Sequence, residues 1–337
     1  MPPDPRDVSA ECAAVRHAVG LFNVSHHGWL RAVGPERAAF LHRLASNDVQ
    51  RLAPGQGCHA LLLNDHARII ADLHIFALQD CHELHFHTDA AAAKARQWLE
   101  RYHFGERVEM QDLHHSRGAF ALQGPGAQPL LESLAIPVHP FQPLDHAKWR
   151  LDGQWIHVMR HSLTGSPGYV LSCDESVAET LRRTLVRAGS TFGLQPAGGE
   201  ALNVLRIEAG IPWYGRELDD TVLAPEAGLA SAISLDKGCY IGQEIIARLD
   251  SRGQLQRALC GLRFDGATPP TAGGRVCLDG RDVGAITSAV YSPTLQRAIA
   301  LAYLHRSAWA PETVVTTSAL TARVVALPFL TRPEPVP

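Results

Sequence analysis

The chain has 337 residues, enough for one large domain or two to three ordinary ones, because single cores rarely grow beyond about 250–300 residues. Apolar residues make up 46% of it and charged residues 19%, which excludes a disordered or low-complexity protein. The formal net charge of −3 lacks the basic field of a dedicated nucleic-acid-binding protein, so direct binding to nucleic acid is not expected.

Cysteine usage and hydropathy address the cellular compartment. The seven cysteines are scattered and never form a CxxC pair. The N-terminal segment has no apolar stretch of signal-peptide length, and no window reaches the ~18 apolar residues of a membrane span. This pattern is typical of free thiols in a reducing compartment. We therefore expect a cytoplasmic protein without a membrane segment, and nothing in the sequence demands more than a monomer.

Helices and short strands alternate through the first hundred residues. Hydrophobic spacing and Gly or Pro breaks define each element. In chain order the predicted elements are a short N-terminal helix, a strand over 29–33, a helix over 36–44, strands over 60–63, 69–78 and 84–88, and an alanine-rich helix over 90–102. Short strands joined in this way predict small split βαβ units rather than one long parallel sheet.

The same alternation then recurs. The second set consists of a strand over 119–122, a helix over 127–134, strands over 155–160 and 169–172, and helices over 176–188 and 198–208. From residue 258 the sequence pattern changes to short strands at close spacing with Gly and Pro turns. This pattern predicts a small antiparallel β-barrel or sandwich. We place the domain boundary near residue 256, giving domains 1–255 and 256–337, and expect the tail 331–337 to be loose.

Several common sites have no support in the sequence. No GxGxxG or GxxxxGK[ST] loop occurs, which argues against a Rossmann or P-loop nucleotide site. The eighteen histidines include His85 and His87, which would project from one face of a strand. They form neither an HExxH motif nor a paired Cys/His spacing. We therefore interpret the histidines as surface or core-edge residues and predict no metal site.

The octapeptide KGCYIGQE at 237–244 is the sharpest local signal. Lys237 and Gly238 precede Cys239 and Tyr240, and Gly242, Gln243 and Glu244 open an apolar helix. A thiol beside an ammonium and near a helix N-terminus is expected to have a depressed pKa. Such a thiolate can be a nucleophile, a redox-sensitive group or a soft-metal ligand. The alternative is a small buried cysteine in a turn.

This octapeptide resembles the signature of the YgfZ/IBA57 family, folate-binding proteins that support the maturation of iron–sulfur enzymes. Further segments resemble the glycine-cleavage T-protein superfamily, within which that family lies: 20–28, 40–41, 46–49, 121–125, 205–215, 224–229, 284–288 and 300–304. The resemblance implies an α+β fold of two interleaved ferredoxin-like (split βαβ) units plus a C-terminal antiparallel β-barrel. It also implies tetrahydrofolate, or a one-carbon derivative of it, in a central channel.

The resemblance assigns roles to two carboxylates. Asp72 matches an acidic residue that lies near the reactive nitrogen of the folate. There it can orient a one-carbon adduct, stabilise positive charge on it or move a proton. Glu226 matches a glutamate that holds the pterin, since a carboxylate can accept two N–H bonds from an aminopyrimidine edge. The alternative for each is an ordinary strand-end or loop carboxylate.

Other positions match the family less closely. Arg257 lies near an arginine that the family places close to the ligand, and Asp89 stands where T-proteins often carry an asparagine. Tyr214 is a candidate wall of the channel, with a place in the core as the alternative. Arg206 and Arg216 are candidates to attract a polyglutamate tail, with surface solvation as the alternative for at least one of them.

Two functions compete on these residues. The leading hypothesis is a folate-dependent accessory factor for iron–sulfur cluster assembly or repair, with Cys239 reactive and iron–sulfur client or assembly proteins as partners. The alternative is a tetrahydrofolate-dependent aminomethyl- or methyltransferase that uses Asp72. A third, weaker hypothesis is an accessory to tRNA modification, either direct or through an iron–sulfur enzyme. The cysteines form no cluster-binding set, so a resident iron–sulfur cluster is not expected.

Overall fold

A computed structural model describes residues 7–317 and 320–330. Its helices are α1 Val8–His17, α2 Arg37–Leu44, α3 Asp89–Arg101, α4 Ala127–Ser133, α5 Glu175–Gly189, α6 Gly199–Glu208 and α7 Gln243–Arg252. The strands before residue 256 are β1 Val19–Asn23, β2 Gly28–Val33, β3 Gly57–Leu63, β4 Ile69–Ala77, β5 Cys81–Phe86, β6 Glu109–Asp112, β7 Arg117–Gln123, β8 His146–Leu151, β9 Gln154–Met159, β10 Gly168–Asp174 and β11 Leu194–Ala197. None of the helices in these residues is long and apolar enough to cross a membrane.

The N-terminal region is built from one arrangement used twice. Elements β2-α2-β3-β4-β5-α3-β6 form a five-stranded sheet in the order β3-β4-β5-β2-β6. Elements β7-α4-β8-β9-β10-α5-β11 form a second sheet in the order β8-β9-β10-β7-β1-β11. The orders correspond strand for strand, except that β1 from the start of the chain inserts between β7 and β11. This insertion interleaves the two units, as the family resemblance implies.

Short polar side chains fix the helix starts. Asp7, Thr88 and Asp174 each accept a hydrogen bond from a backbone N–H in the first turn of α1, α3 and α5. These bonds satisfy N–H groups that have no partner within the helix. Local sequence therefore specifies where these three helices begin.

The two sheets face each other across a shared interior. Helices α2 and α3 cover the outer face of the first sheet, and α4 and α5 cover the outer face of the second. Between the sheets, Trp29 and Phe76 of the first pack near Ala121 and Val170 of the second, together with α1 and α6. Because alternate strand residues point to opposite faces, each central strand sends one set of side chains into this interior.

The C-terminal region is a closed barrel. Its strands are β12 Arg257–Phe264, β13 Arg275–Leu278, β14 Arg281–Ser292, β15 Arg297–His305, β16 Val314–Thr317 and β17 Leu320–Val325, in the order β12-β15-β14-β13-β16-β17. Closure leaves no free sheet edge. The first barrel strand begins directly after the predicted boundary. The tail 331–337 lies outside the described residues.

Candidate functional site

Asp72 lies in the interior between the two sheets. It occupies the middle of β4, a strand buried along its whole length, and its side chain is 4% exposed. Leu73 and Ile75 point to the outer core under α2 and α3, whereas Phe76 packs between the sheets. Strand alternation therefore directs Asp72, with His74 and Phe76, into the interior.

A histidine that the sequence analysis did not single out holds the Asp72 carboxylate. His59 on β3 places its Nε2 atom 2.5 Å from Asp72 Oδ1. Burial acts to lower the pKa of His59, but the charge of Asp72 and the hydrogen bond to it outweigh burial and raise that pKa. The two side chains therefore form a charge-assisted pair in a largely dry interior.

Further histidines surround this pair. His59, His74 and His85 are cross-strand partners on β3, β4 and β5 and form a row across the sheet. The His59 and His74 rings stack 4.6 Å apart, and the ring of His161, which follows β9 of the facing sheet, lies 4.1 Å from that of His74. Burial lowers the pKa of His74, His85 and His161 well below the ordinary histidine value. These imidazoles are therefore neutral at physiological pH.

The interpretation of the histidines as surface or core-edge residues is wrong for eight of the eighteen. Those buried are His27, His74, His82, His85, His87, His146, His157 and His161. Most lie on strands or directly beside strand ends that meet between the sheets. The sequence does show polar residues two positions apart, which places them on one face of a strand: His85 and His87, and again Asp72 and His74. Only the fold shows that these two strands are neighbours and that both are covered.

Glu226 and Arg257 meet at a separate, open cleft beside the barrel. Glu226 lies in a single 3₁₀ turn, and its Oε2 atom accepts hydrogen bonds from Arg257 Nε and Leu223 N, both at 3.1 Å. Arg68 approaches the same oxygen to 3.7 Å. The cleft has a volume of about 900 Å³, and Tyr303 is among its lining residues. Asp72 is not among them, so this cleft does not bring the two predicted carboxylates together.

The remaining predicted folate contacts are dispersed. Asp89 is the first residue of α3, and its carboxylate lies 2.9 Å from His114 Nδ1 on a half-exposed surface. Tyr214 is half-buried between two apolar clusters, and its hydroxyl accepts a hydrogen bond from Lys94 Nζ at 2.7 Å.

The structure contradicts the prediction that Arg206 attracts a polyglutamate tail. Its guanidinium is fully buried and donates to Glu217 Oε2 at 2.6 Å and to Ser288 Oγ at 2.7 Å. These bonds tie α6 to the barrel strand β14. The guanidinium of Arg206 is therefore bonded within the protein and cannot reach a tail in solvent. Arg216 is exposed.

The KGCYIGQE loop divides into an anchored part and an exposed part. Lys237 is buried, and its ammonium donates hydrogen bonds to the carbonyls of His42, Ala45 and Asn47 at and beyond the C-terminal end of α2. Burial lowers the pKa of Lys237 to about 8. Cys239 is exposed. The lysine that was expected to activate the thiol therefore directs its charge to helix carbonyls.

The second half of the loop starts helix α7. Tyr240 packs into the core, Gln243 and Glu244 form the first turn of α7, and Glu244 is exposed. Gly242 precedes the helix with φ +85°, and a Cβ there would lie 2.7 Å from the Asn64 carbonyl oxygen. Gly238 has open space around it. The motif therefore needs a glycine at 242 for backbone geometry and close approach.

Comparison with known proteins agrees with this architecture. The model of the GCVT N-terminal domain matches residues 5–237, and that of the glycine cleavage T-protein C-terminal barrel domain matches residues 257–330. The chain belongs to the glycine-cleavage T-protein family. Tetrahydrofolate is the substrate or cofactor of this family.

Individual relatives of this T-protein family member are named aminomethyltransferases. The aminomethyltransferase of Caldanaerobacter subterraneus is 32% identical over 308 residues, covering 90% of this chain and 82% of the relative. That of Geobacillus kaustophilus is 33% identical over 341 residues, covering 98% and 93%. The crystal structure of aminomethyltransferase T from Bartonella henselae superposes with a TM-score of 0.88 at 25% identity, covering 97% of this chain and 90% of that one.

These matches confirm the fold and the folate-using family, and they leave the finer predictions open. The relatives are named aminomethyltransferases, so the YgfZ/IBA57 subfamily is not confirmed, and the expected roles in iron–sulfur assembly and tRNA modification find no support in them. Among the predicted site residues, the structure brings Glu226 and Arg257 together, and Lys237 and Tyr240. It places Asp72 apart from both pairs, beside His59.

Proposed function

We propose that this chain transfers a one-carbon group, aminomethyl or methyl, to tetrahydrofolate. The observation that carries the proposal is the Asp72 carboxylate, buried between the sheets and held by His59 at 2.5 Å. The names of the aminomethyltransferase relatives support the same reaction class. This was the alternative to the assembly-factor hypothesis, and it now has the stronger support.

The arrangement suits a reaction that builds positive charge. A one-carbon unit passing between nitrogen atoms develops cationic character, and a fixed carboxylate in a dry site stabilises such charge more strongly than water-exposed groups do. The neighbouring neutral imidazoles add no opposing positive charge. His59, whose pKa is raised by Asp72, can hold a proton at the carboxylate and give it up to a leaving group.

We further propose that the Glu226–Arg257 cleft holds a polar end of the folate. Its volume lies within the range of small-molecule sites, about 300–1,000 Å³. Glu226 can accept pterin N–H groups, and Arg257 can bind a carboxylate. Asp89 and Tyr214 are left out of this proposal, because their side chains are engaged by His114 and Lys94.

Asp72→Asn tests the transfer role. We expect one-carbon transfer to tetrahydrofolate from an aminomethyl donor to fall by about 100-fold or more, because a neutral amide cannot stabilise the developing charge. The dissociation constant for tetrahydrofolate, measured by calorimetry, should change little. Asp65→Asn, in an exposed turn before β4, is the matched control and should retain full activity. Unchanged turnover in Asp72→Asn would reduce Asp72 to a structural group.

Glu226→Ala tests the binding role in the same calorimetric experiment. Loss of tetrahydrofolate affinity assigns part of the folate to the cleft. Full affinity in this variant would reject the cleft and leave the interior near Asp72 as the folate site.

A role in iron–sulfur enzyme maturation is the second candidate function. It is favoured by the exposed thiol of Cys239 within the KGCYIGQE loop. In cells that depend on this chain, Cys239→Ala should abolish the activity of an iron–sulfur client enzyme while folate affinity stays nearly intact. Cys277→Ala, a partly exposed thiol on the barrel, is the matched control. Normal client activity in Cys239→Ala would leave the transferase as the only candidate.

A further inference from the structure

Three histidines from two sheets converge in the shared interior. His74 lies on β4, His87 follows β5, and His161 follows β9 of the facing sheet. One ring nitrogen of each lies within 4.8 Å of those of the other two. Each side chain is at most 8% exposed. His161 is distant in sequence from the other two and reaches them from the facing sheet, so the cluster is a product of the tertiary fold.

The cluster contains polar atoms that nothing in the described part of the chain satisfies. His74 Nδ1, His87 Nδ1 and His161 Nε2 are buried, and none has a hydrogen-bond partner within residues 7–317 and 320–330. A buried polar atom without a partner costs about 1–3 kcal/mol, and native structures contain few of them. Three at one place indicate a group that binds there.

The protonation state of the rings suits a cation. All three rings are buried, and burial favours the neutral form of an imidazole. A neutral imidazole carries one N–H and one free lone pair. The interior therefore offers three lone pairs at physiological pH, on rings held by packing from both sheets.

We propose that His74, His87 and His161 bind a divalent transition-metal ion, with zinc as the best match. Zinc accepts three histidine nitrogens and leaves a fourth position for water or another ligand. At Zn–N distances of about 2.0–2.1 Å, tetrahedral geometry separates the nitrogens by about 3.4 Å, so nitrogens that lie up to 4.8 Å apart need to approach by up to about 1.4 Å. Small side-chain rotations provide such a movement.

Neighbouring groups complete the site electrostatically. Asp72 points from the same face of β4 as His74, and its negative charge reaches His87. His59 stacks on His74 and holds the carboxylate in place. A carboxylate beside the ligands offsets part of the buried charge of the ion and can orient a bound water. This inference does not depend on the proposed transferase activity.

Metal titration tests the site directly. Protein stripped with a chelator is titrated with Zn²⁺ by calorimetry, and with Co²⁺ while its visible absorption is recorded. We expect one ion bound per chain, absorption bands typical of four-coordinate cobalt, and a zinc-dependent rise in thermal stability. His161→Gln should weaken zinc binding by about 100-fold or more and remove the rise in stability.

The control is His82→Gln, which alters a buried histidine whose two ring nitrogens also lack partners within the described residues. It stands alone on the opposite face of β5, so zinc binding should be retained. If His161→Gln does not fold, as judged by circular dichroism, His87→Gln replaces it. Equal zinc affinity in wild type and the folded cluster variant would overturn the proposal. Both measurements are made without folate, so their failure is independent of the folate titration.

Discussion

Two polar clusters lie side by side on the inner face of β5, and they differ in how their hydrogen bonds are met. Glu83 is 2% exposed, yet Arg31, Arg117 and His157 all contact its carboxylate, with Arg31 Nη2 at 2.7 Å and His157 Nδ1 at 2.9 Å. Burial acts to raise the pKa of Glu83, but the bond from His157 and the charge of Arg117 hold it well below its usual range. This cluster is complete without any ligand.

Two and four residues after Glu83, the buried polar groups lack part of their hydrogen bonds. His85 Nδ1 and His87 Nδ1 are buried and have no partner within the described residues, and the same is true of His74 Nδ1 on the adjacent strand. One strand face therefore changes from a satisfied ion-pair network to a set of free ring nitrogens. The difference separates groups that stabilise the fold from groups that are available for a ligand.

Removing the charge from the satisfied cluster should produce the largest effect. Glu83→Gln leaves two arginines and a buried histidine without their carboxylate, which should cost about 3–5 kcal/mol of unfolding free energy. Urea denaturation at neutral pH measures it. The matched control is Glu179→Gln, whose carboxylate contacts Arg182 and Arg183 on the exposed face of α5, and its effect should be much smaller. Equal losses in the two variants would contradict the comparison.

Lys237 is a second buried charge whose bonds are met, here by neutral carbonyls. Lys237→Met removes the donor from the carbonyls of Ala45 and Asn47, and the loss should be about 2 kcal/mol, typical of hydrogen bonds to a charged group. The smaller value reflects acceptors that carry no full charge. Thermal denaturation beside Lys148→Met, an exposed lysine, measures it. A stability equal to wild type would show that the KGCYIGQE loop is not anchored by this side chain.

The position of a strand in its sheet explains which strands the sequence could predict. Most strands that are central in their sheets have strong apolar patterns and were predicted. The strands that were missed are β1, β6, β8 and β11, and the last three are edge strands of their sheets. Edge strands bury little: β6 reads EMQD, and β11 contains a proline. Their position comes from pairing with a neighbour, which local hydrophobicity does not record.

The candidate site was predicted less completely than the fold. Asp72 was found through the family resemblance, but His59 and His161 were not, because their role depends on contacts between β3 and β4 and between the two sheets. Arg206 was a candidate for a polyglutamate contact or for surface solvation, whereas the fold buries it against Glu217. A charged residue in an amphipathic helix gives no local sign that a barrel packs over it.

At neutral pH the smallest effect is expected for buried histidines, and it separates those that have hydrogen-bond partners within the chain from those that lack them. Burial and the charge of Arg37 lower the pKa of His82 to about 4, and burial and His157 lower that of His146 to about 3. Above the unfolded value of about 6.5 neither state is protonated, so the shifts have no effect on stability. Below it the unfolded chain takes up protons first, and each histidine destabilises the fold by up to about 1.4 kcal/mol per pH unit.

Replacing each histidine by leucine should remove this acid sensitivity in both cases but shift stability at neutral pH in opposite directions. His82→Leu deletes two buried nitrogens without partners and should be neutral or stabilising at about pH 7, with a further relative gain of about 2 kcal/mol at about pH 5. His146→Leu breaks bonds to His157 and to the Gln56 carbonyl and should destabilise at neutral pH, with a similar relative gain in acid. Urea denaturation at about pH 7 and about pH 5 measures the change in stability at neutral pH and the further gain in acid. A loss of stability at neutral pH in His82→Leu as large as that in His146→Leu would mean that His82 is satisfied by bound water, and that partners within the chain do not distinguish the two histidines.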